Sequence, residues 1–255
     1  MKLQFVSDLH LEFPDNTRWF ASHPLEVTGD ILLVAGDSGY INTPDYVHHP
    51  FWKWASQHYE QVIIALGNHE FYQFADPTQF PDGFVGEILP NVHYYYNAVV
   101  SIGDIDIIVS TLWAHIEPDK MYYTEKGVSD FYRIMYQGHR LNANDFNAEH
   151  GRCLRFIKEA VEHSHAKTKI VLTHHVPTEL CTAEEFRGSL INGAFSVELG
   201  NYIANTDIDY WIYGHSHRNI EATIGSTHIL SNQFGYFNHL EYLTNGFNPN
   251  KFIEV

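Results

Sequence analysis

Seven residues of types that bind transition metals stand at five points along the 255-residue chain. They are Asp8 with His10, Asp37, Asn68, His174, and His215 with His217. Carboxylate and imidazole donors together suit Mn, Fe, Zn, Co or Ni, and suit Ca or Mg less. The set exceeds what one such ion takes and suits two. One carboxylate must then bridge, and Asp37 is the candidate. Asp8 and His10 are two apart, as are His215 and His217. In an extended chain each pair directs its side chains the same way. A lone Asp-x-His or His-x-His is a weak signal. The force lies in all five elements standing in order.

Charge arithmetic indicates an anionic substrate. Two divalent ions against two carboxylates and a bridging hydroxide leave roughly one net positive charge at the site. The chain as a whole carries −16, from 15 basic and 31 acidic residues. A small phosphate ester fits such a local anion trap. Paired metals hold an attacking hydroxide and stabilise charge on phosphoryl oxygens. The expected reaction is hydrolysis of a small phosphomonoester or phosphodiester, with in-line attack by the bridging hydroxide and no covalent enzyme intermediate. Long nucleic acid is disfavoured as a partner, because a uniformly negative surface repels it. A nuclease on short nucleic acid and a non-catalytic metal-binding scaffold are the alternatives. A serine hydrolase lacks its Gly-x-Ser-x-Gly elbow here.

The elements that must position these residues are legible as apolar runs of strand length. They are Leu3 to Val6, Ile31 to Ala35, Val62 to Leu66, Ile170 to Leu172 and Tyr210 to Tyr213. Unbroken apolar character predicts strands buried on both faces. Pro50 to Tyr59, Asn144 to His165 and Phe195 to Ala204 read as helices. Alternation of strand and helix predicts an α/β fold. In such sheets the ligand site lies beyond the carboxyl ends of the strands, and every candidate group falls there. Gly36, Gly67 and Gly214 allow the backbone to turn sharply at those ends. Val92 to Leu112 reads as a meander with turns at Tyr96-Asn97 and Gly103-Asp104. Asn219 to Tyr236 reads as a hairpin turning at Gly225-Ser226. The segments 113–144 and 177–192 lack periodicity and read as functional loops or caps.

Length favours one domain over 1–255. No apolar run approaches the ~18 residues of a membrane span, and the opening residues form no secretory signal. Cys153 and Cys181 match no metal or redox motif. They read as reduced structural thiols of a cytoplasmic protein. Most of the 18 histidines read as surface or core residues without special roles.

Asp8-Leu9-His10, Gly36-Asp37, Gly67-Asn68-His69-Glu70, His174 and Gly214-His215-Ser216-His217 together resemble the motif series of the calcineurin-like metallophosphoesterase superfamily. The resemblance spans positions 8 to 217. It implies an α/β fold, a four-layer α/β/β/α sandwich of two mixed sheets flanked by helices. It implies one ion, Mn, Fe or Zn, on Asp8, His10, Asp37 and His217, and a second on Asp37, Asn68, His174 and His215. It places His69 near the leaving group, as a general acid or charge stabiliser, and makes His175 structural. Asp8-Leu9-His10-Leu11-Glu12-Phe13, with Arg187-Gly188-Ser189-Leu190-Ile191-Asn192, is similar to small bacterial and phage-type members. The chain departs from the protein Ser/Thr phosphatase branch, because Gly36-Asp37-Ser38-Gly39-Tyr40 lacks that branch's Asp-Arg-Gly continuation. The sequence therefore supplies no orienting carboxylate for His69 at that position, which argues against protein phosphatase activity. Tyr40 is expected to line the pocket, in the place where purple acid phosphatases carry a metal-binding Tyr. Arg187 and Arg133, with planar donor forks, and Asn192, a neutral donor, are the other candidate substrate contacts.

Overall fold

The computed structural model describes residues 1–255 and gathers the apolar runs into two six-stranded sheets. In chain order the strands are β1 (Lys2–Val6), β2 (Ile31–Ala35), β3 (Gln61–Ala65), β4 (Phe84–Leu89), β5 (Val92–Tyr96), β6 (Ala98–Ile102), β7 (Ile105–Ser110), β8 (Met135–Tyr136), β9 (His139–Arg140), β10 (Thr168–Thr173), β11 (Tyr210–Tyr213), β12 (Ala222–Ile224), β13 (Thr227–Ser231) and β14 (Phe252–Glu254). The first sheet runs β14-β1-β2-β3-β5-β4 and the second β12-β13-β11-β10-β7-β6. Each has parallel strands at its centre and an antiparallel strand at either edge.

Alternation along the strands builds the layers. Leu3, Phe5, Leu33 and Ile63 of the first sheet meet Ile107, Val109, Ile170 and Leu172 of the second in one buried cluster. The intervening Val6, Leu32, Val34 and Ile64 face outward. They pack with Phe20 of helix Pro14–Ser22 and with Phe51 and Trp52 of helix Pro50–His58. Ile108, Val171 and Trp211 likewise meet Ile157 and Val161 of helix Ala143–His163. Both faces of each sheet are covered, so the runs are apolar except for Gln4, whose buried amide donates to Glu26 O and Pro249 O and accepts from Thr28 N and the Tyr59 hydroxyl. Each fully buried Leu or Ile stabilises by about 1.5–3 kcal/mol. The fold is the expected α/β/β/α sandwich.

The long helix begins with a capping box. Asn142 Oδ1 accepts from the main chain of Asn144 and Asp145, and Asp145 Oδ2 accepts from Asn142 N. Elsewhere the sequence reading needs correction. The stretch from Val92 is no single meander. Its chain leaves the first sheet at Tyr96 and enters the second at Ala98. Asn97 makes the switch in a left-handed conformation (φ 46°), buried and held by Asp82 and Ser110. The helix expected over Phe195 to Ala204 shrinks to Gly200–Ile203. Residues 195–197 run alongside Val176, whose N–H and C=O bond Phe195 O and Val197 N. Segment 113–144 contains helices Met121–Gly127 and Asp130–Arg133 and the β8–β9 hairpin over its own apolar cluster. Segment 177–192 contains the short turns Glu179–Cys181 and Glu184–Phe186. No helix is long and apolar enough to cross a membrane.

Candidate metal centre

Strands β1, β2 and β3 of one sheet and β10 and β11 of the other deliver the seven candidate ligands to one edge of the sandwich. They do so by a different local geometry from the expected extended chain. Asp8, His10, Asp37, His215 and His217 all have positive φ, between 47° and 75°. Such conformations cost about 1–3 kcal/mol each for residues with a Cβ, and surrounding structure must hold them. The Asp8 to Leu11 turn is held by main-chain bonds from Asp8 N, His10 N and Leu11 N to Gly36 O, Asp37 O and Ser38 O. Glu70, fully buried, pins the Asp37 turn by accepting from Gly67 N, Asp37 N and Ser38 N. Gly214 is required for closeness and not for φ, since a Cβ there would stand 2.7 Å from Asp8 Oδ2 and 2.8 Å from Ala35 O.

Donor atoms collect in two nests. In the first, His10 Nε2 and His217 Nε2 are 3.0 Å apart, with Asp8 Oδ1 3.4 Å from the latter. In the second, His174 Nε2 lies 2.9 Å from Asn68 Oδ1, 3.1 Å from His215 Nδ1 and 3.2 Å from Asp37 Oδ1. Asp37 stands between them, with Oδ2 3.9 Å from His10 Nε2.

The far side of each ring fixes its orientation. His10 Nδ1 meets Glu12 Oε1 at 3.1 Å, and His217 Nδ1 meets Glu241 Oε2 at 2.7 Å. His174 Nδ1 donates to Ala35 O at 2.9 Å and His215 Nε2 to Ala194 O at 3.2 Å. Asn68 Nδ2 donates to Asp130 Oδ1 at 2.9 Å, which turns Oδ1 into the second nest. Every facing nitrogen therefore carries a lone pair unless an extra proton or a cation sits between. Burial lowers His10 and His215. Burial also acts to lower His174, but Asp37 overrides it and raises the ring to about 9. His217 is raised to about 10, where hydrogen bonds to Asp8 and Glu241 outweigh burial. Each imidazole pair thus joins a neutral ring to a cationic one. Asp8 and Asp37 stay ionised, because the charged histidines outweigh the effect of burial. The site calls for positive charge in both nests. Nitrogen and oxygen atoms about 3 Å apart fit around an ion with bonds of about 2.0–2.2 Å.

His69 lies beside both nests. Its main-chain N–H donates to Asp37 Oδ1 at 2.9 Å, its ring stacks on Tyr72, and its Nε2 is 3.4 Å from the Tyr236 hydroxyl. Its Nδ1 is 2.8 Å from Glu12 Oε1. The orienting carboxylate missing after Asp37 therefore comes from the first strand's turn. Burial acts to raise Glu12, but His10 and His69 hold it at about 2. His175 is buried against His215, with ring centroids 4.3 Å apart.

A cavity of about 350 Å³ opens beside Asp37, Asn68, His69, His215 and His217. Of the candidate substrate contacts, Asn192 lines it. Arg133, Arg187 and Tyr40 do not. Arg133 is exposed, with its guanidinium over Tyr72 at 5.3 Å. Arg187 is exposed on the 177–192 segment. Tyr40 lines a separate small cavity with Glu12 and Tyr46. Charge type suggested the two arginines, but Arg187 turns to solvent and Arg133 packs on Tyr72 outside the cavity lining. Sequence reading missed Glu12, Asp130, Tyr236 and Glu241. Only Glu12 had a local signal, continuing the alternation Asp8-x-His10-x-Glu12.

Two packed mixed sheets with carboxylates and imidazoles gathered at one edge define a metal-dependent hydrolase. The chain belongs to the calcineurin-like phosphoesterases, which it matches over residues 1–219. It is thus a phosphoric ester hydrolase of a family that uses divalent metal ions. The uncharacterized protein L509 of Acanthamoeba polyphaga mimivirus is 29% identical, over 99% of this chain and 96% of the viral protein. Among solved structures, the phosphopantetheinyl hydrolase of Mycobacterium tuberculosis superposes with a TM-score of 0.68 at 14% identity, over 96% of this chain and 92% of that one. The protein TT1561 of Thermus thermophilus gives 0.51 at 10% identity, over 91% and 88%. At these identities the structural likeness concerns the fold.

Proposed function

We propose that this chain hydrolyses a small phosphomonoester or phosphodiester at a centre of two transition-metal ions, Mn, Fe or Zn. Asp8, His10, Asp37 and His217 would hold one ion, and Asp37, Asn68, His174 and His215 the other. The observation that carries the reading is the position of Asp37. One of its oxygens faces each nest, with Oδ1 3.2 Å from His174 Nε2 and Oδ2 3.9 Å from His10 Nε2. When bound, such ions supply Lewis-acid polarisation of the phosphoryl oxygens and an activated water.

The chain's own groups complete the chemistry. Glu12 takes the Nδ1–H of His69, so Nε2 points away from it. Burial acts to lower the ring, but Asp37 and Glu12 outweigh it and favour the protonated form, whose Nε2–H, with the Tyr236 hydroxyl beside it, would donate to the departing oxygen. Tyr72 stacks on the ring and holds its plane. Asn192, on the cavity wall, is the substrate contact kept from the sequence reading. We read the chain as one domain, because β14 pairs with β1 from beyond the family match. The free, buried Cys153 and Cys181 suit a reducing cytoplasm.

Metal content and turnover on one preparation test the reading. The protein is stripped, reloaded with Mn, Fe, Zn or Co, and assayed on p-nitrophenyl phosphate and its bis ester. Two ions per chain with metal-dependent turnover are expected, and the ester ratio sets monoester against diester. Absence of bound metal and of turnover under every loading overturns it.

A further inference from the structure

The cavity beside the nests is built by both irregular segments. Gly127 to Asp130 comes from the first, and Thr182, Ala183, Phe186, Ser189 and Ile191 from the second. Apolar side chains line much of it, among them Val128, Val176, Phe186, Ile191 and Phe195. Serine and threonine hydroxyls supply most of the remaining polar lining.

Its charged groups are the informative part. Apart from Asp37 and the histidines, they are Asp130, Glu241 and Arg218. Arg218 is committed elsewhere: Nε donates to Glu185 at 2.9 Å, a terminal nitrogen donates to His217 O at 3.1 Å, and the guanidinium lies over Phe186. Glu241 is paired with His217. Asp130 Oδ1 accepts from Asn68 and Tyr72, whereas its Oδ2 is buried with no partner. Within the lining, a second anionic group on a substrate would meet carboxylates and no unpaired cation, since Arg133 packs over Tyr72 from outside it. Burying an unpaired charge is strongly unfavourable.

We infer that the cavity takes the leaving group of a phosphate ester with a single phosphoryl group, and that this leaving group is an uncharged alcohol, apolar over much of its length. The inference rests on the phosphoesterase reading and narrows it. Nucleoside diphosphates and triphosphates, which would bring further charge into this cavity, are expected to be poor substrates.

Binding of inert analogues to the metal-loaded protein, measured by titration calorimetry, tests this apart from turnover. The series is methylphosphonate, butylphosphonate and hexylphosphonate, with 6-phosphonohexanoate as the charged-tail partner of the last. Affinity should rise about 3- to 4-fold per added methylene while the chain stays in the cavity. The tail carboxylate should abolish that gain. Ile191→Asp should flatten the series, and Phe186→Ala, at the exposed lip, should reduce its slope. A flat series, or 6-phosphonohexanoate binding as tightly as hexylphosphonate, overturns the inference and leaves the phosphoesterase reading standing. A slope unchanged in both variants overturns it as well, since the chain then lies elsewhere. If no phosphonate binds and no ester turns over, the underlying reading falls and the inference falls with it.

Discussion

The two donor nests share Asp37 and a similar ligand count, yet they are backed differently. In the first, both imidazoles lean on carboxylates, Glu12 and Glu241. In the second, both donate to main-chain carbonyls, Ala35 and Ala194. A carboxylate partner makes an imidazole the more basic ligand and adds negative charge nearby. The first nest should therefore hold its ion more tightly and favour the more highly charged one. The ligands add to the difference, because the first nest has the carboxylate of Asp8 where the second has the neutral amide of Asn68. Glu241 lies outside the 1–219 stretch that matches the family.

The largest effect should come from removing what the nests share. Asp37→Ala should empty both and reduce turnover to background, as read by metal analysis and an ester assay. A variant that keeps one ion at full affinity would show the nests to be independent. Glu241→Gln sharpens the comparison. It should weaken the first ion about 10- to 100-fold and leave the second near its original affinity. Asp130→Asn should do the reverse, since Asp130 orients Asn68. Calorimetric titration with Mn or Zn reads both steps. Equal weakening of both ions in either variant would break the distinction.

What the sequence could show follows from this contrast. The positions of the seven candidate ligands were legible because each follows a buried strand, and buried strands leave largely apolar runs. The sandwich was legible through the same runs and the motif order. The helix of residues 143–163 announced itself by its apolar spacing. The backing carboxylates were not legible. Asp130 stands 62 positions from Asn68, and Glu241 stands 24 from His217. No local spacing rule links such pairs. The left-handed turns were hidden too, because Asp8 and His10 read equally well as extended. The sheet switch at Asn97 looked like an ordinary hairpin turn, since the sequence does not say which sheet the next strand joins.

His69 gives a smaller effect that probes the first nest's Glu12. Glu12→Ala should free the His69 ring and slow alkyl esters about 10-fold more than aryl esters, because poor leaving groups depend most on help at the departing oxygen. Glu12→Gln keeps an acceptor for the His69 Nδ1–H and should restore most of the alkyl-to-aryl ratio, while the first ion stays weakened as in Glu241→Gln. Equal slowing of both ester types would assign Glu12 to metal retention alone.

The smallest effect is in the stability of the metal-free protein, where each nest holds a proton. His217 is raised to about 10 and His174 to about 9, from ordinary values near 6.5. A group with a raised folded pKa stabilises fully below its unfolded pKa, and the benefit is lost as pH rises through the folded value. The metal-free protein should therefore melt at progressively lower temperature between pH 7 and about pH 10. The metal-loaded protein should not, because cations replace those protons. Loading at pH 7 should accordingly release about two protons per chain, measurable with an indicator in weak buffer. The first nest holds the more basic histidine, so its proton should be the last to leave as pH rises. If metal-free and loaded proteins show parallel melting curves from pH 7 to about pH 10, the nests do not hold protons in place of cations, and the electrostatic case for the paired site fails with them.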